Sequence, residues 1–302
     1  MVKEIYEVLC KISGTDHVLQ QEPMSRHTTF RTGGPAELLV MPSAEELPEI
    51  IRYCGKKQIP YLVIGNGSNL LAGDTGVEGV VIEIGKRMSE ITVDKTTVTA
   101  GAGALLSAIA SKAAAEGLAG FEFASGIPGS LGGAVVMNAG AYGGEMKDVL
   151  QEVAVLTRDG EVRHLSAEEL ELSYRHSVIP EREYLVLGAR ISLKTGEKED
   201  IYAYMRELKE KRVSKQPLEY PSAGSTFKRP EGYFAGKLIE DSGLRGFQVG
   251  GAQVSEKHCG FVVNKNNASS ADIRSLMEQV QQTVLEKFGV KLEPEVKFVG
   301  KF

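Results

Sequence analysis

Tryptophan is absent from this chain of 302 residues, and cysteine is nearly so: Cys10, Cys54 and Cys259 lie far apart with no paired spacing. Neither a disulfide frame nor a zinc knuckle is expected from such a set. The five histidines, His17, His27, His164, His176 and His258, never fall at metal-ligand spacing from one another, so no metal centre is expected either. No apolar run approaches the thickness of a bilayer, and the charged opening Met1-Val2-Lys3-Glu4-Ile5 lacks the apolar stretch of a signal peptide. An excess of basic charge is missing too. The formal net charge of -5 speaks against nucleic acid or an anionic membrane as partner. The expected location is the cytoplasm.

What remains is an ordinary soluble composition, 42% hydrophobic and 25% charged, in a chain long enough for two or three domains. The most informative stretch is Ile64-Gly65-Asn66-Gly67-Ser68-Asn69-Leu70-Leu71, which follows the apolar run Tyr61-Leu62-Val63. Glycine removes the Cβ, and successive N–H groups and short polar side chains then converge on an anion. Taken alone, an ordinary glycine-rich connection explains it equally well. Two further segments of like chemistry follow: Gly101-Ala102-Gly103-Ala104, and Ser125-Gly126-Ile127-Pro128-Gly129-Ser130-Leu131-Gly132-Gly133-Ala134, continuing through Met137-Asn138-Ala139-Gly140-Ala141-Tyr142-Gly143-Gly144. Backbone this bare leaves room for a ligand to lie against it. A dinucleotide-binding Rossmann turn is excluded, because Leu70 and Leu106 occupy the place of the third glycine. A mononucleotide P-loop is excluded for want of Gly-Lys-Ser/Thr.

The periodicity predicts a short helix within 1–20 with Ile5, Val8, Leu9 and Ile12 on one face, then strand, helix, strand, loop and strand up to Gly85. Ser43 and Glu46 form a capping box before a helix with Leu47, Ile50, Ile51 and Cys54. A hairpin is predicted around Arg158-Asp159-Gly160, and a second capping box at Ser166 to Glu169 opens a short helix ending near Tyr174-Arg175. The final helix starts at Ser269–Asp272, carries the stripe Ile273, Leu276, Met277, Val280, Val284 and Phe288, and stops at Gly289. A polar shift at Thr195–Asp200 places a domain boundary near 196. The fold class is α+β, since strands and helices do not alternate cleanly.

Three residues are candidates for chemistry. Ser225, in Ala223-Gly224-Ser225-Thr226-Phe227-Lys228, is glycine-flanked but has no nucleophile elbow around it, and a turn serine fits it as well. Arg175, in Ser173-Tyr174-Arg175-His176-Ser177, sits where it can simply answer a helix dipole. Glu295, in Leu292-Glu293-Pro294-Glu295-Val296, reads equally as a solvated edge carboxylate.

As a set, these segments resemble the UDP-N-acetylenolpyruvoylglucosamine reductase family. The likeness rests on Thr28-Thr29-Phe30 with Gly33-Gly34, Gly65–Asn69, Ser125–Gly129, Gly132-Gly133-Ala134 with Met137–Gly143, Tyr174–Ser177, Ala223–Lys228, Gly236-Lys237-Leu238-Ile239-Glu240 and Leu292–Val296, in the family's order from about 26 to 298. The resemblance implies an FAD-binding domain of the para-cresol methylhydroxylase type over 21–196, in two subdomains (about 21–86 and 87–196), after an N-terminal helix in 1–20. A C-terminal substrate-binding domain would occupy 197–302. FAD would be held by Gly65, Asn66, Gly67, Ser68, Asn69, Ser125, Gly126, Pro128, Gly129, Gly132, Gly133, Asn138, Ala139 and Gly140. It would be held non-covalently, since neither His nor Cys occurs from 55 to 163. The interval from Arg175 to Ser225 is too short for the insertion carrying a substrate-covering tyrosine, so the shorter class of the family is implied.

The family's reaction reduces UDP-N-acetylglucosamine enolpyruvate with NADPH as co-substrate. By resemblance, Arg175 would stabilise the developing enolate, Ser225 would protonate C2 and Glu295 would orient the substrate or stabilise the intermediate. Tyr174, Lys211, Arg212, Lys228 and Lys237 would contact the substrate. No obligate protein partner is implied. A flavin oxidase of the same fold and a non-catalytic flavin or nucleotide-sugar sensor are the alternatives.

Overall fold

The structure, a computed structural model, describes residues 2–302. Its contacts divide the chain into two compact units, each assembled from three segments. The first comprises Met1–Gln20, Leu38–Asn66 and Gly79–Lys211; the second comprises Gln21–Glu37, Gly67–Glu78 and Arg212–Phe302.

In the first unit, the helix Val2–Ser13 buries Ile5 and Leu9, while Leu47–Lys57 buries Leu47, Ile50, Ile51 and Cys54, the faces their periodicity predicts. Strands Val18–Pro23, Pro35–Val40, Val77–Glu83 and Tyr61–Ile64 form a four-stranded sheet in that order, the last two parallel with Tyr61 opposite Val80. A five-stranded sheet follows, in the order Val162–Ser166, Leu150–Leu156, Leu185–Ser192, Thr97–Gly101 and Ile91–Asp94, every neighbour antiparallel. The expected hairpin is there, with Gly160 at φ +81° supplying the left-handed turn residue. Helix Leu131–Val136 packs on the strand Leu185–Ser192, and helix Leu106–Ala115 contributes Leu106, Ile109, Ala110 and Ala113 to the same core.

The helix expected to open at Ser166 does not form. Its capping contacts do: the Ser166 N–H donates to Glu169 Oε2 (2.8 Å), and the Glu169 N–H donates to Ser166 Oγ (3.3 Å). Yet Ser166 ends a strand, and turns follow it. Of the residues after the cap, Leu170 alone is fully buried up to Tyr174, while Glu168, Glu169 and Glu171 are exposed. Without a second turn of apolar residues to bury, nothing offsets the cost of helix nucleation. Arg175 therefore does not answer a helix dipole.

In the second unit, the helix Ser270–Phe288 packs across an antiparallel sheet of Gln248–Val249, Ala252–Val254 and Val262–Asn264. Ser269 and Asp272 close a reciprocal capping box at its start, and Gly289 at φ +66° ends it. Ile273, Leu276, Met277, Val280 and Val284 meet Phe30, Leu71 and Val254 in the core. Phe288, expected in that stripe, stays 41% exposed.

The two units differ from the contiguous division expected near 196. The first runs on to Lys211, inside the helix Lys198–Lys215, and the second takes in 21–37 and 67–78. Long-range pairing within the second unit is the reason. Leu70–Ala72 lies parallel to Lys297–Val299, the Ser270 N–H donates to Asp74 Oδ1 (2.8 Å), and Asn264 Nδ2 donates to the Phe30 carbonyl (3.0 Å). Local patterning carries no record of such links.

One ion pair in the first unit supplies a test of acid stability. Arg87 grips Glu46 with a two-pronged contact (2.6 and 2.7 Å), and the Ser43 N–H donates to the same carboxylate (3.0 Å), the half of the expected capping box that involves Glu46. Burial pushes the Glu46 carboxyl up, but the Arg87 and Ser43 hydrogen bonds outweigh it and bring it from 4.5 down to about 2. A carboxylate depressed in the folded state adds stability that is complete above its unfolded value and lost as the pH falls through the folded one. Acid denaturation between pH 4.5 and 2 should therefore be shallower in Glu46→Gln than in the native chain. At pH 7 the variant should be less stable by roughly 1–2 kcal/mol, a figure discounted for partial exposure. Urea melts at stepped pH measure both.

Candidate active site

Within the first unit the three glycine-rich segments converge. The Asn66 Nδ2 donates to the Pro128 carbonyl (2.5 Å), and a Cβ on Gly65 would collide with Ser130 Oγ. The Leu106 N–H donates to the Gly129 carbonyl (3.0 Å), the Leu131 N–H to Ala104 (2.8 Å) and the Gly132 N–H to Ala102 (2.8 Å). Main chain thus lies directly on main chain, which is why these segments carry almost no side-chain bulk. Gly133, in contrast, is exposed, and a Cβ there would meet no protein atom within 4 Å. The cradle leaves a bare backbone face at Gly133.

Several expected cofactor residues are committed within the protein. Ser125 Oγ donates to the Glu122 carbonyl (2.7 Å). Gly140 faces Glu145 Cβ (2.7 Å from an added Cβ) across the hairpin Gly140–Ala141 with Gly144–Glu145. Ala139 is buried. The Asn138 side chain is wholly buried, and both of its donor positions are used, on Glu145 Oε2 (2.7 Å) and on the Ser173 carbonyl (3.1 Å). These positions are left with main-chain groups for any ligand, or with none.

Arg175 is half-buried in a two-residue turn closed by mutual main-chain hydrogen bonds between Ser173 and His176 (3.2 Å each). Its φ of +55° falls at the turn position that favours glycine. The guanidinium carbon stands 5.1 Å from the centroid of the Tyr174 ring, which is exposed.

The second unit brings Ser225 and Glu295 to one ladder. The Glu295 N–H donates to the Thr226 carbonyl (2.9 Å), the Lys228 N–H to Glu293 (2.8 Å), and Phe227 lies opposite Pro294. Asn69 Nδ2 donates to the Glu295 carbonyl (3.1 Å), so Asn69, expected at the cofactor, spends its amide on the main chain of a candidate catalytic residue. Ser225 is exposed, whereas Glu295 is only 8% exposed; the solvated edge carboxylate is not what the fold builds. Beside them, Gly67 at φ +60° sits so tightly under the His27 carbonyl that no Cβ fits. The Thr29 N–H donates to the Gly67 carbonyl (3.2 Å), and Thr29 Oγ1 is buried with no hydrogen-bond partner in the protein. A bare loop beside an unsatisfied hydroxyl, like the cradle of the first unit, suits a phosphate-bearing cofactor.

The three expected substrate lysines are paired with acids. Lys228 bonds Glu293, holding that carboxyl below its usual range; Glu207 raises Lys211, and Asp241 raises Lys237. Ser130 stands at the N-cap position of the helix Leu131–Val136, but its side chain makes no capping hydrogen bond. Among the described residues no group of three or more His, Cys, Asp or Glu is placed to hold a metal.

The fold and these loops define an FAD-binding oxidoreductase class. An FAD binding domain family matches residues 35–166. The glucose dehydrogenase Phl p 4.0202 shares the fold, with a TM-score of 0.52 at 13% identity over 65% of this chain and 44% of that one. A second family, the C-terminal domain of UDP-N-acetylenolpyruvoylglucosamine reductase, matches residues 216–299. The UDP-N-acetylenolpyruvoylglucosamine reductase of Agathobacter rectalis is 58% identical, over 100% of this chain and 98% of its own length. The crystal structure of the enzyme from Thermus caldophilus superimposes with a TM-score of 0.80 at 38% identity, covering 94% of this chain and 98% of that one. The chain belongs to the UDP-N-acetylenolpyruvoylglucosamine reductase family.

Two glycine substitutions separate the two uses of a bare backbone. In FAD-free protein, Gly65→Ala drives a methyl into Ser130 and should lower stability by about 1–3 kcal/mol. Gly133→Ala meets no protein atom, and in a helix it should be neutral or stabilising by up to about 1 kcal/mol. Thermal melts of the two variants give the comparison.

Proposed function

We propose that this chain reduces UDP-N-acetylglucosamine enolpyruvate to UDP-N-acetylmuramate with NADPH as reductant, and that Arg175, Ser225 and Glu295 carry the chemistry. The observation that carries the reading is the pairing of Thr226–Lys228 with Glu293–Glu295, which sets the exposed Ser225, next in sequence to Thr226, close to the buried Glu295. FAD, when bound, would supply the two-electron relay by which hydride from NADPH reaches the enolpyruvyl β-carbon. The chain's residues manage the charge and the proton. Arg175 faces the substrate carboxylate, and its planar guanidinium suits the delocalised charge that develops there. Ser225 Oγ donates the proton that C2 accepts. Glu295 orients the substrate against that hydroxyl.

Main-chain groups of Gly65–Asn69, Ser125–Gly129 and Gly132-Gly133 hold FAD without a covalent bond. Tyr174, Lys211, Arg212, Lys228 and Lys237 serve the substrate, and the three lysines exchange Glu207, Glu293 and Asp241 for its phosphates. The enzyme works in the cytoplasm without an obligate protein partner or nucleic acid. Three free thiols, with Cys54 pushed up to about 11 by burial, support a reducing compartment. No helix among the described residues is long and apolar enough to cross a membrane.

The purified protein should be yellow, and acid precipitation should release its flavin into the supernatant; flavin that stays with the pellet would contradict non-covalent binding. Ser225→Ala should leave reduction of the flavin by NADPH intact and slow its reoxidation by the enolpyruvyl substrate by about 10²–10⁴-fold, the usual reach of general acid catalysis. Stopped-flow absorbance separates the two half-reactions. An unchanged reoxidation rate would make Ser225 a turn residue.

A further inference from the structure

We infer that Asn138 is a positioning residue for Arg175, holding the turn that carries the guanidinium, and that Ser177 is its second tether. The inference rests on the reading of Arg175 given above.

The turn Ser173-Tyr174-Arg175-His176 is short, and it carries its arginine in a left-handed conformation at φ +55°. That conformation is unfavourable for an ordinary L-residue. Such a residue persists where its surroundings over-determine it. Here the surroundings are two hydrogen bonds, one on each side of the turn. On the N-terminal side, Asn138 Nδ2 donates to the Ser173 carbonyl (3.1 Å). On the C-terminal side, the buried Ser177 Oγ donates to the Val136 carbonyl (2.6 Å). Both tethers run to the same three residues, 136–138, at the end of the helix Leu131–Val136.

Asn138 is itself fixed from every side. Its second amide hydrogen goes to Glu145 Oε2 (2.7 Å), and its Oδ1 accepts the Lys147 N–H (2.9 Å). Its own φ is +43°, a region asparagine tolerates better than most residues. A side chain this buried with both donors engaged has one rotamer available to it. The Arg175 turn therefore inherits the rigidity of the glycine-rich helix end, and the guanidinium is aimed before substrate arrives. No other side-chain type of this size offers two donors and an acceptor in one plane.

Asn138→Gly keeps the left-handed backbone and removes the side chain. With the holoenzyme, stopped-flow reoxidation of reduced flavin by saturating UDP-N-acetylglucosamine enolpyruvate should slow about 10–100-fold, the cost of a misplaced group near 1 Å. KM should change much less than kcat, because the lost interaction belongs to the transition state. In an Arg175→Ala background the same Asn138→Gly change should cost less than about twofold, since there is no guanidinium left to aim. Ser177→Ala, a milder change, should follow the same pattern and provides the test if Asn138→Gly does not fold. A full rate in both single variants overturns the proposal, and so does an equal loss with and without Arg175. Arg175→Ala at the native rate would overturn the reading of Arg175 itself, and this proposal with it.

Discussion

The short antiparallel ladder between Thr226–Lys228 and Glu293–Glu295 is the interaction on which the second unit depends. Glu295 is fixed by its main chain on both sides, through its N–H to Thr226 and through its carbonyl from Asn69. Three distant segments are thereby locked together: 67–72, 225–228 and 293–299. Thr226 ties in a fourth, because its Oγ1 accepts the Val262 N–H (2.9 Å) while its own N–H donates to Gly260 (2.9 Å). The backbones of Thr226 and Glu295 are thus held by hydrogen bonds on both sides, the condition a preorganised site requires.

The first unit solves a different problem. Its glycine-rich segments are packed on one another before they meet any ligand, as the contacts of Asn66 with Pro128 and of Gly132 with Ala102 require. Only part of their bareness faces outward. Gly65 and Gly140 are bare because the protein itself occupies the space, whereas Gly133 is bare toward the open. Glycine abundance alone does not separate these two cases; the neighbour that a Cβ would meet does.

That distinction marks where the sequence was legible. Amphipathic faces were: the stripes of Leu47–Cys54 and Ile273–Val284 are buried as their spacing implies, because a helix with one apolar face has one way to bury it. The cap at Ser269 was legible for the same local reason, whereas of the box expected at Ser43 only the Ser43 N–H contact to Glu46 forms. The helix after Ser166 was misjudged because its cap is present and its apolar face is not. The candidate site was legible as residue types and as a family likeness, but not as roles. Asn138 and Asn69 stand in ligand-like surroundings of small residues, yet their amides bind the protein at positions 35 and 226 residues away. No window of sequence holds that information. The strands Val18–Pro23 and Gln248–Val249 escaped notice because they are short or largely polar.

The interleaving of the second unit has a consequence for the order in which the protein can be made. Residues 21–37 and 67–78 emerge from the ribosome early, but the strand that pairs with Leu70–Ala72 is Lys297–Val299, at the far end of the chain. Phe30 likewise waits for Asn264 and Asp74 waits for Ser270. Loop closure over such separations is slow, and apolar side chains such as Phe30 and Leu71 stay unsheltered until it occurs. The second unit is therefore completed only once Lys297–Val299 has been made, and the interval before that is when the nascent chain is most open to aggregation or to a chaperone.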